Sequence, residues 1–134
     1  MNSLETALYS TLTGGTALTA LLAGTTSVYN SAVPRDVSYD VVVFQLMGGG
    51  DDNETPTRSK SLVYMVKGVS QTSMKTAGLI DNQIDTLLHR KTLTVTGWTN
   101  FWTAREQDIE FVETTPEGRN YWHSGGLYRV RLTE

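Results

Sequence analysis

The chain has 134 residues, 39% of them hydrophobic, and a formal net charge of −3. That size suits one domain around one core, and the longest uninterrupted aliphatic–aromatic run, Val41–Phe44, is far too short to span a membrane. There are no cysteines, which excludes disulfides, thiolate chemistry and Cys-ligated zinc, and the acidic balance gives no surface for nucleic-acid binding by counterion release.

The first residues, MNSLETALYS, lack a basic segment followed by a long apolar one, so no secretory signal is expected. Ser3 is placed to cap a short helix, with Glu5 in its first turn and Leu4, Leu8 and Leu12 forming one apolar stripe. Gly14-Gly15 ends it. Thr16 is expected to cap a second short turn, Ala17 to Ala23, closed by Gly24. Val28-Tyr29 reads as a brief edge strand, since Pro34 soon interrupts pairing.

Tyr39 to Met47 reads as a central strand that is apolar on both faces. Val41, Val43 and Gln45 point one way, and Val42, Phe44 and Leu46 the other. Ser61 to Ser70 is the next strand, rich in Val, Tyr and Met. Gly48 to Ser59 joins the two as a loop too long for a tight hairpin turn.

Ser73 opens the best helix of the chain, running to His89. Ala77, Ile80, Ile84, Leu87 and Leu88 form its inward stripe, while Lys75, Asp81, Asn82 and Asp85 face away. Leu93 to Thr96 begins a third strand segment, bent at Gly97. A closing hairpin follows, with Ile109 and Phe111 on one arm and Tyr128, Val130 and Leu132 on the other. Thr114 to Gly118 turns its corner, and acids on the first arm are expected to pair with Arg129 and Arg131 on the second. The order of helices, strands, helix and strands gives an α+β class: two layers, a largely antiparallel sheet, helices on one face.

No motif carries chemistry. The glycines at 48–50 follow a strand, but acids stand where a phosphate-binding loop needs Lys and Ser or Thr. Asp51, Asp52, Asn53 and Glu54 lack the ligand spacing and distal Glu of a calcium loop, so no metal is expected. His89 suits the C-terminal turn of the long helix, and His123 lies in a strand beside Ser124. Neither builds a catalytic triad by spacing, so catalytic, cofactor and metal residues are all expected to be absent. Trp98, Phe101, Trp102 and Trp122 read as core or subunit-interface aromatics.

One resemblance takes the reading further. Leu12, the stretch Ala17 to Leu22, Val28-Tyr29, Pro34 and the strand Tyr39 to Gln45 stand in the order found near the start of tail-terminator, or tail-completion, proteins of long-tailed bacteriophages. The strand Ser61 to Ser70, the helix Ser73 to His89 and the hairpin ending in LYRVRL, Leu127 to Leu132, continue that order, so the resemblance covers nearly the whole chain.

The resemblance implies a non-enzymatic virion protein without cofactors, assembled in the host cytoplasm and resident at the head–tail junction. It implies a homo-hexameric ring that caps the tail tube, ends tube polymerisation and meets the head-completion or connector protein. DNA would cross its lumen without sequence-specific binding, and no membrane partner is implied. On that reading Gly48, Gly49, Gly50, Asp51, Asp52, Glu54, Arg58 and Lys60 form an assembly loop, mobile in the lone subunit. Its acids would line the channel. Two alternatives stay open: another head–tail neck component, and, from a different class, a small cytosolic ligand- or metal-binding domain.

Overall fold

A computed structural model describes residues 1–134. Its elements in chain order are α1 (Asn2–Thr13), α2 (Thr16–Thr19), β1 (Val28–Asn30), β2 (Val41–Asp51), β3 (Ser59–Ser70), α3 (Met74–Leu88), β4 (Thr94–Val95), β5 (Trp98–Thr114) and β6 (Asn120–Thr133). The six strands form one sheet in the order β1-β2-β3-β6-β5-β4. All neighbours are antiparallel except β1 and β2, so the sheet is mixed, not purely antiparallel. The exception follows from connectivity: Asn30 and Val41 are joined by a crossing segment that returns the chain to the same end before β2 starts.

The sheet is curled. Helix α1 touches both β1 and β4, which are its two opposite edges. That geometry closes the main core, in which Leu4, Leu8 and Leu12 of α1 meet Val42 and Phe44 of β2, Tyr64 and Val66 of β3, and Tyr128, Val130 and Leu132 of β6. Ile80, Ile84 and Leu88 bring α3 onto the same face. The approach of α3 to β3 is close because Gly68 has no side chain: a Cβ there would come within 2.6 Å of Ile80. Ser73 caps α3, its hydroxyl accepting the Thr76 N–H.

The alternation expected along β2 holds through Phe44. Val42 and Phe44 enter the main core, whereas Val41 and Val43 join Val69 in a smaller cluster on the other face with Val33, Tyr39 and Tyr121. Leu46, still paired with Tyr64, is exposed, and the register shifts after it, between Leu46 and Gly48.

Three local expectations are corrected. The second helix is α2, with Gly15 as its N-cap and Thr16 inside it; Thr16 does not cap a longer turn. The third strand segment shrinks to Thr94–Val95, and Gly97, at φ 84°, turns the chain into β5 as expected. The 48–59 segment is a loop only from Asp52 to Arg58. Gly48, Gly49 and Gly50 pair with Val63, Leu62 and Ser61, Asp51 pairs with Lys60, and the Asp52 N–H donates to the Ser59 carbonyl. Backbone pairing to β3 outweighs the entropic cost of the glycines.

Candidate assembly surface

The β2–β3 hairpin carries the residues singled out in the sequence. Gly49 is required internally: its φ is 102°, and a Cβ would lie 2.1 Å from the Ser61 carbonyl oxygen. Gly48 and Gly50 differ, since a Cβ on either would meet nothing within 4 Å. Asp51 accepts from Lys60 Nζ at 2.7 Å and from Arg58 Nη2 at 3.0 Å. Hydrogen bonds first from Lys60, then from Arg58, hold its carboxyl below the usual range. Arg58 and Lys60 are therefore committed within their own chain, not free for a neighbour's acids. They also lie over the Trp98 ring, each 5.9 Å from its centroid. Asp52 and Glu54 stay in the connecting turn with no ion-pair partner. The hairpin thus carries all eight candidate residues, on a paired arm, Gly48–Asp51 with Lys60, and a tip, Asp52–Arg58.

At the opposite edge, β5 is long and unevenly covered. Its first part is sheltered: Val95 pairs with Trp98, the Arg90 N–H donates to the Thr103 carbonyl, and the Arg105 N–H donates to His89 Nδ1. His89, expected to serve the helix dipole, instead uses its ring to seal this edge. Beyond Arg105 the strand pairs only with β6. The aromatics divide. Trp98 packs against the core, Trp122 is half-buried, and Phe101 and Trp102 are exposed, with Arg131 over the Phe101 ring at 5.3 Å.

Asp81 does not face solvent, contrary to the helical-wheel expectation. It is buried and receives both Arg105 guanidinium nitrogens, at 2.7 and 2.9 Å, plus the Ser124 hydroxyl. Arg105 also donates to Asp108, to Tyr128 and to the Gly125 carbonyl. The Asp81 hydrogen bonds raise the Arg105 pKa further above its ordinary value. Gly126 makes room, since a Cβ there would stand 2.6 Å from Arg105 Nε. Tyr128 donates to Asp85, and burial pushes its phenol upward. On the solvent face, Arg129 pairs with Glu106 at 2.8 Å, as one cross-strand acid–base contact was expected to.

His123 lies on the same face of β6 as Arg129 but is buried, stacked on Phe111 with centroids 4.3 Å apart. Its Nε2 lies 3.3 Å from Glu113 Oε1, and its Nδ1 has no partner. Burial first, then the nearby Lys67, lowers its pKa; the Glu113 contact opposes this. Ser124, its neighbour in sequence, points to Asp81, so the two share no hydrogen bond. No group of three or more His, Asp or Glu side chains is arranged to hold a metal ion. No helix is long and apolar enough to cross a membrane.

No protein-family model matches the chain, and no curated protein sequence does. A solved structure does match. The fold superimposes on a chain from the virion of a native gene transfer agent particle with a TM-score of 0.76. The match covers 98% of this chain and 95% of that one at 16% sequence identity. At that identity the likeness is one of fold, and it spans both chains nearly end to end.

Proposed function

We propose that this chain is a structural protein of a phage-like virion, acting at the head–tail junction. There it would sit as a ring that caps the finished tail tube, ends its polymerisation and receives the head-side connector. The observation that carries the reading is the end-to-end fold likeness to a virion chain. The ordered sequence resemblance to tail-terminator proteins supports a place at the tail end. The residues with chemical potential are engaged in architecture: Asp81 and Arg105 bind α3 to β5, and His89 seals an edge.

On this reading the tip Asp52–Arg58 of the β2–β3 arm contacts the tube or the lumen. Three carboxylates against two cations leave one net negative charge between Asp51 and Lys60. Any repulsion of passing DNA is correspondingly weak at each subunit and acts through the number of subunits. The ring would be a homo-hexamer, and DNA would pass without sequence readout.

A virion likeness fits a head-side neck component equally, and the bound partner separates the two. The test is removal of the gene. A tail terminator's loss gives full heads, and unjoined tails of uncontrolled length. Loss of a neck component gives unjoined tails of normal length, and normal joined particles would overturn both.

A further inference from the structure

The sheet leaves two stretches of edge unpaired, and they lie diagonally across it. On one side β1 covers β2 only from Val42 to Phe44, so Gln45 to Asp51 has a free edge. On the other side β4 and the end of α3 cover β5 through Arg105, so Gln107 to Thr114 has a free edge. Long uncovered edges invite strand addition, and proteins that remain single normally protect them. These two stretches hold four of the chain's exposed large apolar residues: Leu46 and Met47 on one, Phe111 and Val112 on the other. Nothing inside the subunit explains why Gly48 and Gly50 are bare, since space is open around both. A strand glycine without an internal reason fits a place where another backbone comes close.

We propose that the two edges are the halves of one joint, in which the β2 edge of each copy adds to the β5 edge of the next copy. The occupant is thus a second copy of this chain, and the proposal rests on the ring reading above. Directions agree. β2 runs antiparallel to β3, β3 to β6 and β6 to β5, so β5 meets the next copy's β2 antiparallel in a continuous sheet. Leu46 and Met47 would then come within reach of Phe111 and Val112.

The diagonal placement sets the shape of the assembly. Gly48 lies in the row of Val63 and Arg129, whereas Phe111 lies in the row of His123, six residues further along β6. At roughly 3.3 Å per residue the joint offsets neighbours by about 20 Å along the strands. Four strand spacings of about 4.8 Å, from β2 to the next β2, span about 19 Å. A closed ring absorbs that offset only by tilting its strands, here by roughly 45°, which is the tilt found in closed barrels. With Gly48 opposite Phe111, Asn30 at the end of β1 comes level with Thr114, three rows on, so β1 of one copy abuts the start of the other's β5–β6 turn, while β4 lies clear at the opposite end. The contact is heterologous, and closure is what keeps it from running on as a filament.

The chain's lack of cysteine makes the test direct. In purified Met47→Cys/Val112→Cys protein, concentrated and oxidised, the joint gives a ladder of disulfide-linked multimers on denaturing gels. Mixing the two single variants gives dimers, while the Val112→Cys variant alone gives none above background. Disulfide trapping accumulates even a sparsely populated contact. No ladder after prolonged oxidation, or equal dimers from the Val112→Cys variant alone, overturns the joint. The virion reading is scored separately, by the presence of the chain in particles, so each idea fails by its own readout.

Discussion

The Arg105 guanidinium grips the Asp81 carboxylate with two parallel hydrogen bonds, Nη1 to Oδ1 at 2.7 Å and Nη2 to Oδ2 at 2.9 Å. One residue sits on α3 and the other on β5, so the pair fastens the helix to the strand that carries the proposed joint. Fork-to-fork geometry fixes orientation as well as distance. Asp81→Ala leaves Arg105 near Tyr128 with its main counter-charge gone. We expect a loss of about 2–4 kcal/mol, below the figure for fully buried pairs because Asp108 remains on the exposed side. Urea unfolding measures it. A change under about 0.5 kcal/mol would mean the pair contributes nothing net.

His123 makes stability depend on pH in a defined direction. Its folded pKa lies below the ordinary 6.5, through burial and Lys67, despite the contact with Glu113. The unfolded chain therefore binds a proton first as pH falls, and stability declines from about pH 6.5 downward until the folded imidazole also titrates. Tyr39 faces the same pocket, and burial raises its phenol further, so it stays uncharged in this range. The lowered carboxyls of Asp51 and Glu5 act at lower pH, where their contribution is lost as pH falls through the carboxylate range. His123→Phe, which keeps the ring stack on Phe111, should flatten the slope between pH 7 and 5. Denaturant midpoints at three pH values suffice, and an unchanged slope in the variant would contradict the assignment.

The three glycines of β2 should separate on mutation. Gly49→Ala must displace the β3 backbone and adopt a positive φ, with an expected cost above about 2 kcal/mol. Gly48→Ala and Gly50→Ala fill open space on an extended backbone, and should leave stability within about 0.5 kcal/mol or raise it. Thermal melting of the three variants decides it. A large loss at Gly48 would show an internal demand that the fold does not explain.

Shortening the tip separates folding from assembly. Replacing Asn53–Thr57 by a two-residue turn removes none of the Asp51–Lys60 strand pairing, so the melting temperature should hold. If the tip meets the tube or the lumen, tail completion or head joining should fall. Full infectivity of that variant would remove the tip from the account.

Much of the fold was legible, for physical reasons that can be named. Leu4, Leu8 and Leu12 and the Ile80–Ile84–Leu88 stripe follow a helical period so regular that burial of one face is forced. The β5–β6 hairpin was legible from its alternation and its Pro-Gly turn, and the Thr115 N–H does donate across that turn to the Arg119 carbonyl. The glycine stretch reads as a loop because its local entropy is visible in the sequence and the cross-strand bonds that β3 offers are not. Asp81 misled because a carboxylate beside Ile80 reads as surface until a distant arginine is known to reach it. The parallel pairing of β1 has no local signature, since three residues carry it. The free edges were beyond the sequence altogether: they depend on strand order, which periodicity does not encode.

The central claim is a ring of this chain at the end of a tail tube. Imaging of intact particles by electron cryomicroscopy tests it most directly. The account predicts density for several symmetry-related copies, six on the ring reading, stacked on the last tube layer and facing the connector. A particle in which this chain is absent from the head–tail junction, or present there as one copy, would contradict it.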